Sequence, residues 1–331
     1  MSAPAKRLPH RRVAAAITAI ALAAAIVGLT LADGSGSATQ APCGAVASAA
    51  TLASVDTAVA RRIYTGEAHS SETSADVAHV TGSRALLSAL ASSNRPAVYA
   101  AVHTIVYMPH WHIVRLRVVK NGRVLADVGG PYILAPVSGT LTFKGRTVGR
   151  FVMSVQDDVG YVKLISRFIG VPIDLYRNGS FLMGTLRPAP ASVSAGQSVI
   201  VGGRAYQARV LDASAFPSGR LKVALFVPKP TGSMAAQSCA AVRVAAWGDV
   251  AMHIAARFSP LAAHYKDLVG TLRGSTGGLA FVRAGSKRLA GGVGPKIIPN
   301  HGTVTFQGRT WSVFSWAPKP PAQVYLLTPA G

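Results

Sequence analysis

Apolar positions along the chain change period several times, and each change predicts a change of element. From Cys43 to about Met108 the pattern is helical: Val46, Ala49, Leu52, Val55, Val59 and Ile63 recur at steps of three and four residues. After a Ser/Thr/Glu-rich break it resumes as VTGSRALLSALASSNRPAVYAAVHTIV, where Pro96 is placed to open a new helix. From His110 the period becomes two. HIVRLRVV runs into a K-N-G turn, and RVLADV returns from it as the second arm of a hairpin. Beyond a Gly-Gly-Pro loop, YILAPVSGTLTFKGRTVGRFVMSVQ reads as two more strands about a K-G-R turn, and a helix is expected from about Asp158 to Phe168.

A further strand set then occurs twice, at 174–228 and at 280–329. Each copy has a strand, an N-G or A-G turn, a second strand and a loop, then V-x-x-x-G-R-x-aromatic, a Pro-containing bend and a closing V-x-L-x-x-P strand. Gly145-Arg146, Gly203-Arg204 and Gly308-Arg309 therefore stand at equivalent turns of three successive sheets. The expected class is α+β, with antiparallel sheets covered by N-terminal helices. The expected segments are a membrane-directed stretch at 1–32, a linker at 33–42, a helix-and-sheet region at 43–228, a linker at 229–238 around KPTGS, and a second, shorter repeat at 239–331.

Within the 43–228 region, the order VTGSRALLSAL, helix, HIVRLRVVKNGRVLADVG, loop, YILAPVSGTLTFKGRTVGRFVMSV resembles the extracytoplasmic Cache (PAS-like) sensor domains of bacterial receptors. The resemblance rests on Arg117-Val118 through Asp127, on Ala135-Pro136-Val137, and on Gly145-Arg146-Thr147-Val148-Gly149 to Val155. It covers a distal unit at about 77–160 best, extends to the second sheet at 174–228 by general pattern, and reaches 239–331 through the internal repeat. It implies tandem Cache-like units and a small-molecule pocket between a sheet and its covering loops. Two departures narrow the ligand. The strand Ile133–Val137 has no Lys, Arg or His, and Asp127 stands where many such receptors carry a His, which argues against a dicarboxylate ligand.

Charge adds location. There are 34 Lys and Arg against 12 Asp and Glu, a formal net charge of +22, with 50% hydrophobic residues, which excludes disorder and implies polyanionic surroundings. Lys6, Arg7, Arg11 and Arg12 precede an uncharged run from Val13 to Ala32. This is either a single membrane anchor held positive-inside or a cleavable signal peptide, with Thr30-Leu31-Ala32 as the small-residue site. Either way the remainder is expected outside the cytoplasm, bound to the cell membrane or secreted, and nucleic acid drops out as a partner. Setting those four cations aside leaves 30 against 12 acids, a net +18, spread without long basic runs and suited to an anionic cell envelope. Export also makes a disulfide between Cys43 and Cys239 the expected state, since each begins a C-x-A-V helical stretch in what reads as matching repeats.

Candidate chemistry is sparse. Arg115 and Arg117 alternate with apolar residues, share one strand face, and could clamp an anion bidentately. Asp127, Tyr132 after the Gly-Gly-Pro loop, Gln156 and Asp157 complete the expected ligand-binding set. The Asp157-Asp158 pair has two readings, acid/base carboxylates or a helix cap. His110-Trp111-His112 would turn both imidazoles to one side if it lay on a strand, but no Cys or carboxylate adjoins it in sequence, so no metal and no cofactor is assigned. No G-x-S-x-G elbow in a strand–turn–helix context, no Walker A and no H-E-x-x-H occurs, so catalysis is not expected. Two functions remain: an anchored sensor-like protein that binds a small molecule and acts through a membrane partner, or a structural envelope protein with degenerate Cache folds whose basic surface adheres to anionic wall polymer or lipid.

Overall fold

In a computed structural model, which describes residues 41–229 and 237–330, the second to sixth α-helices open where a side chain takes up a free N–H group of the first turn, whereas the first and seventh have no such cap. α1 (Gly44–Ala68) buries Val55, Val59, Ile63 and Tyr64 along one stripe. Ser70 accepts from Thr73 N to start α2 (Ser71–Gly82), Ser83 accepts from Leu86 N to start α3 (Arg84–Ala91), and Asn94 accepts from Ala97 N to start α4 (Arg95–Tyr107), with Pro96 in its first turn. Asp157 caps α5 (Asp158–Ile169), which ends on Gly170 at φ 69°.

The first sheet follows from period-two alternation. β1 (Arg115–Lys120), β2 (Arg123–Gly129), β3 (Leu134–Phe143) and β4 (Arg146–Gln156) pair antiparallel in the order β2-β1-β4-β3. The expected K-N-G turn joins β1 to β2 with Asn121 at φ 50° and Gly122 at φ 76°, the positive values a tight hairpin turn requires. Leu116 and Val118 face Leu86, Leu90, Val98 and Val102 in a core of their own. His110-Trp111-His112 does not lie on a strand, because β1 begins only at Arg115. His110 sits in an exposed turn at φ 77°, and Trp111 stacks on His79 at 4.1 Å.

Two larger sheets carry the repeat. The second comprises β5 (Ile173–Arg177), β6 (Ser180–Gly184), β7 (Ser198–Val201), β8 (Arg204–Ser214) and β9 (Arg220–Pro228), in the order β6-β5-β9-β8-β7. After α6 (Cys239–Ala255) and α7 (Tyr265–Thr276) come β10 (Leu279–Ala284), β11 (Lys287–Ala290), β12 (Gly302–Phe306), β13 (Arg309–Lys319) and β14 (Ala322–Pro329), in the order β11-β10-β14-β13-β12. Counted from its own first strand, each sheet has the order 2-1-5-4-3. The later repeat is shorter in residues but complete in its sheet. It has the same five strands, and the earlier region is longer because α2 to α4 and the first sheet are inserted between α1 and α5. The three Gly-Arg pairs matched in the sequence each open a strand after a tight turn: Arg146 starts β4, Arg204 starts β8 and Arg309 starts β13.

The class is α+β with three antiparallel sheets. α1, α5, α6 and α7 form a helical layer whose core joins Leu175, Leu211, Val223 and Leu225 of the second sheet to Val282, Val324 and Leu326 of the third. Strand β9 is buried on both faces, which is why LKVALFVP reads as a nearly continuous apolar run: Ala224 and Phe226 point away from the helices toward Leu186 and Val193 of the β6–β7 loop. Cys43 and Cys239 form a disulfide that joins the N-termini of α1 and α6, with Cα atoms 4.6 Å apart. The membrane-directed stretch at 1–32 and most of both linkers lie outside the described residues. Among the described residues no helix is long and apolar enough to cross a membrane.

Candidate functional site

The expected anion clamp holds an anion, and that anion belongs to the chain. Arg115 donates to Asp127 through Nε at 2.9 Å and a terminal nitrogen at 3.0 Å, while Arg117 donates through the corresponding atoms at 3.0 and 2.6 Å. A bulge between Val118 and Val119 shifts the β1/β2 register by one residue and sets Arg117 directly opposite Asp127. Phe216, from the loop between β8 and β9, covers both guanidinia, with its ring centroid 4.5 Å from Arg115 Cζ and 5.5 Å from Arg117 Cζ. Burial by itself raises the Asp127 carboxyl, but the hydrogen bonds from the two arginines and their charges outweigh it and hold the group below its usual range. This cluster is a joint between the first and second sheets.

The neighbouring candidates make local contacts, and it is Tyr64 and Phe216 that extend the joint. Asp157 accepts from Gly160 N at 2.6 Å as the α5 cap, and Gln156 reaches only the Asp157 carbonyl, at 3.4 Å. Tyr132 is half-buried, with its ring across the Cα of Gly130, where a side chain would collide with it. Asp158, the other half of the carboxylate pair, is buried and accepts from Ile133 N at 3.0 Å; desolvation raises its pKa against that bond. Tyr64 of α1 accepts from Ala135 N at 3.1 Å and donates to Ser214 O at 2.7 Å. Phe216 N donates to Ile133 O at 2.8 Å. The structure therefore brings Arg115, Arg117 and Asp127 together, and it leaves Asp157 and Gln156 in local contacts.

A different constellation remains chemically open. Asp56 lies on the buried stripe of α1, 8% exposed, and among the described residues it has no hydrogen bond or ion pair. It faces a cleft of about 300 Å³ lined also by Leu52, Ile169, Val250, Asp249, His253, Arg204 and Lys229. Helical spacing puts Asp249 and His253 of α6 one turn apart on the same face. Arg204 opens β8, and Lys229 follows β9, its N–H bonded to Ala205 O at 3.2 Å. The His253 ring lies over Gly170 at the end of α5, so a side chain at 170 would strike it. Desolvation, reinforced by the Asp249 charge, raises Asp56 from 3.8 to about 7. Partial desolvation raises Asp249 as well, and His253 opposes that. The cleft thus has a carboxylate floor, a second carboxylate beside it, and a cationic rim.

The sequence does contain a sign of this site. An aspartate amid V-D-T-A-V on the apolar stripe of a helix is out of place unless something pairs with it. What fell beyond reach was its neighbour, 193 positions away on another helix. The chain's two glutamates, Glu67 and Glu72, also meet, with His112, at a second cleft of about 300 Å³. There burial raises Glu67, whereas hydrogen bonds at the start of α2 lower Glu72. Among the described residues no group of three or more His, Cys, Asp or Glu is arranged to hold a metal ion. No protein-family model matches this sequence, and no curated protein does either.

Proposed function

We propose that the protein is a non-catalytic, extracytoplasmic binding module of tandem Cache-like units, attached to the cell membrane through its N-terminal segment or released from it. It takes a small molecule in the cleft between α1, α6 and the second sheet. The observation that carries this reading is Asp56: a carboxyl group nine-tenths buried, without a partner among the described residues, and turned into a cleft beside a second carboxylate. Such a group favours a ligand that brings a cation or strong hydrogen-bond donors to it, and Arg204 and Lys229 at the rim suit an acceptor on the ligand's other end. Occupancy has a route outward. α1 packs on α5, α6, α7, β3, β8 and β9, and only the 33–42 linker separates it from the segment expected to reach the membrane, so a ligand held at Asp56 acts on the helix nearest in sequence to a membrane partner.

The test is a thermal-shift screen of amine-bearing small molecules with carboxylate-only analogues as controls, on the wild-type protein and on Asp56→Asn. The expected result is stabilisation by an amine ligand in the wild type alone, strengthening as pH rises through about 7, where Asp56 gives up its proton. Equal stabilisation of both proteins, or a response only to carboxylate-only compounds, refutes it.

A further inference from the structure

The loop between β11 and β12 is built to present aliphatic side chains to solvent. Its shape is set from beneath. Arg283, on β10 and buried, donates to Lys296 O at 2.8 Å and to Pro295 O at 2.5 Å. Arg288 donates to Gly292 O and lies over the Phe281 ring, 5.2 Å from its centroid. Gly291, at φ 104°, and Gly294 let the loop backbone press against Phe281 so closely that any side chain there would overlap that residue or its neighbour Ala280. On this braced segment Ile298 turns inward, while Val293 is 78% and Ile297 84% exposed.

The sister sheet shows that exposure was not forced by the fold. Its corresponding β6–β7 loop folds Leu186 and Val193 onto Tyr206 and Phe226 and leaves no comparable pair in water. The strand and loop that carry Val293 and Ile297 are cationic, with Lys287, Arg288 and Lys296 all exposed. Among the described residues none of the three forms an ion pair, and residues 268–331 contain seven Lys and Arg and no Asp or Glu. A soluble polyanion would satisfy the cations and leave the two aliphatic side chains in water. An anionic bilayer satisfies both, because the aliphatic groups reach below the headgroups while the cations stay among the phosphates.

We infer that the β11–β12 loop is a membrane-docking element, in which Val293 and Ile297 insert into an anionic lipid surface and Lys287, Arg288 and Lys296 hold its phosphates. This contact is independent of the ligand cleft, so the docked face and the cleft can be tested apart.

The experiment is amide hydrogen exchange on the full chain with nanodiscs of phosphatidylcholine alone or of phosphatidylcholine with phosphatidylglycerol, reading residues 287–298 and using the 185–197 loop as the internal control. Exchange at 287–298 is expected to slow by about tenfold on the anionic discs only. The Val293→Ser/Ile297→Ser double variant loses this slowing while the strands of the third sheet stay protected, since neither residue belongs to the core. Equal exchange on both kinds of disc overturns the inference. So does equal slowing by dextran sulfate added to phosphatidylcholine discs and insensitive to the double substitution, an outcome that assigns the loop to a soluble or wall polyanion.

Discussion

Replacing Asp56 by Asn tests the chemistry of the cleft in the folded protein without any ligand. In the folded chain the carboxyl holds its proton up to about pH 7, whereas 3.8 is its ordinary value. Between those values the folded state binds a proton that the unfolded state has released. Stability from this group is therefore fully present below about pH 4 and declines as pH rises toward 7. The separation of roughly 3 pH units, at 1.36 kcal/mol each, corresponds to a loss of about 4 kcal/mol by pH 8. Asn cannot ionise and escapes that loss. Urea unfolding followed by tryptophan fluorescence reads the difference well, since Trp247 lies on α6 two residues from Asp249. Asp56→Asn is expected to match the wild type near pH 4, apart from a fixed offset, and to gain on it steadily up to pH 8, where it is more stable by a few kcal/mol. Other raised carboxyls, such as Asp174 at about 6, affect both proteins alike and cancel in the comparison. Stability curves that stay parallel from pH 4 to 8 would refute a buried, unpaired Asp56.

Two predictions concern the joints. Tyr64→Phe removes the hydroxyl that links Ala135 N to Ser214 O and leaves both backbone groups without it, at a cost of about 2 to 4 kcal/mol in urea unfolding, with faster hydrogen exchange at 133–136; a change below about 0.5 kcal/mol would contradict the bridging role. The Cys43→Ser/Cys239→Ser variant frees a loop with a sequence separation of 196, and chain entropy puts the loss at no more than about 5 kcal/mol. Unfolding midpoints of the oxidised wild type and the double variant decide it, and equal midpoints would mean that the bond adds nothing to the helical packing.

Much of this architecture is legible in local pattern. The α1 stripe, the Ser and Asn caps, Pro96 in the first turn of α4, the Asn-Gly turns and the paired strand sets all depend on residues a few positions apart, where side-chain period and φ preference act directly. The repeat also made the Cys43–Cys239 bond legible, because matching positions in two packed copies lie close together. The candidate site was less so. Period-two alternation puts Arg115 and Arg117 on one strand face, yet a single bulge brings Asp127 opposite Arg117. An unbroken register from the Lys120/Arg123 pair would have set Ala126 there and turned Asp127 to the other face. The histidine pair failed as a strand motif because β1 starts three residues after His112, and no periodicity marks that boundary.

What the chain decides alone is thus which segments become helix or strand, how they repeat, and how strongly basic the whole is. Only the tertiary structure decides which charges are paired and which are left open. Asp127 and Asp56 look alike in sequence, each an acid within an apolar stretch. One is neutralised by two arginines under Phe216, and the other faces Asp249 across a cleft. The difference lies in loops and helices that close over long stretches of chain, and local pattern carries no information about that closure.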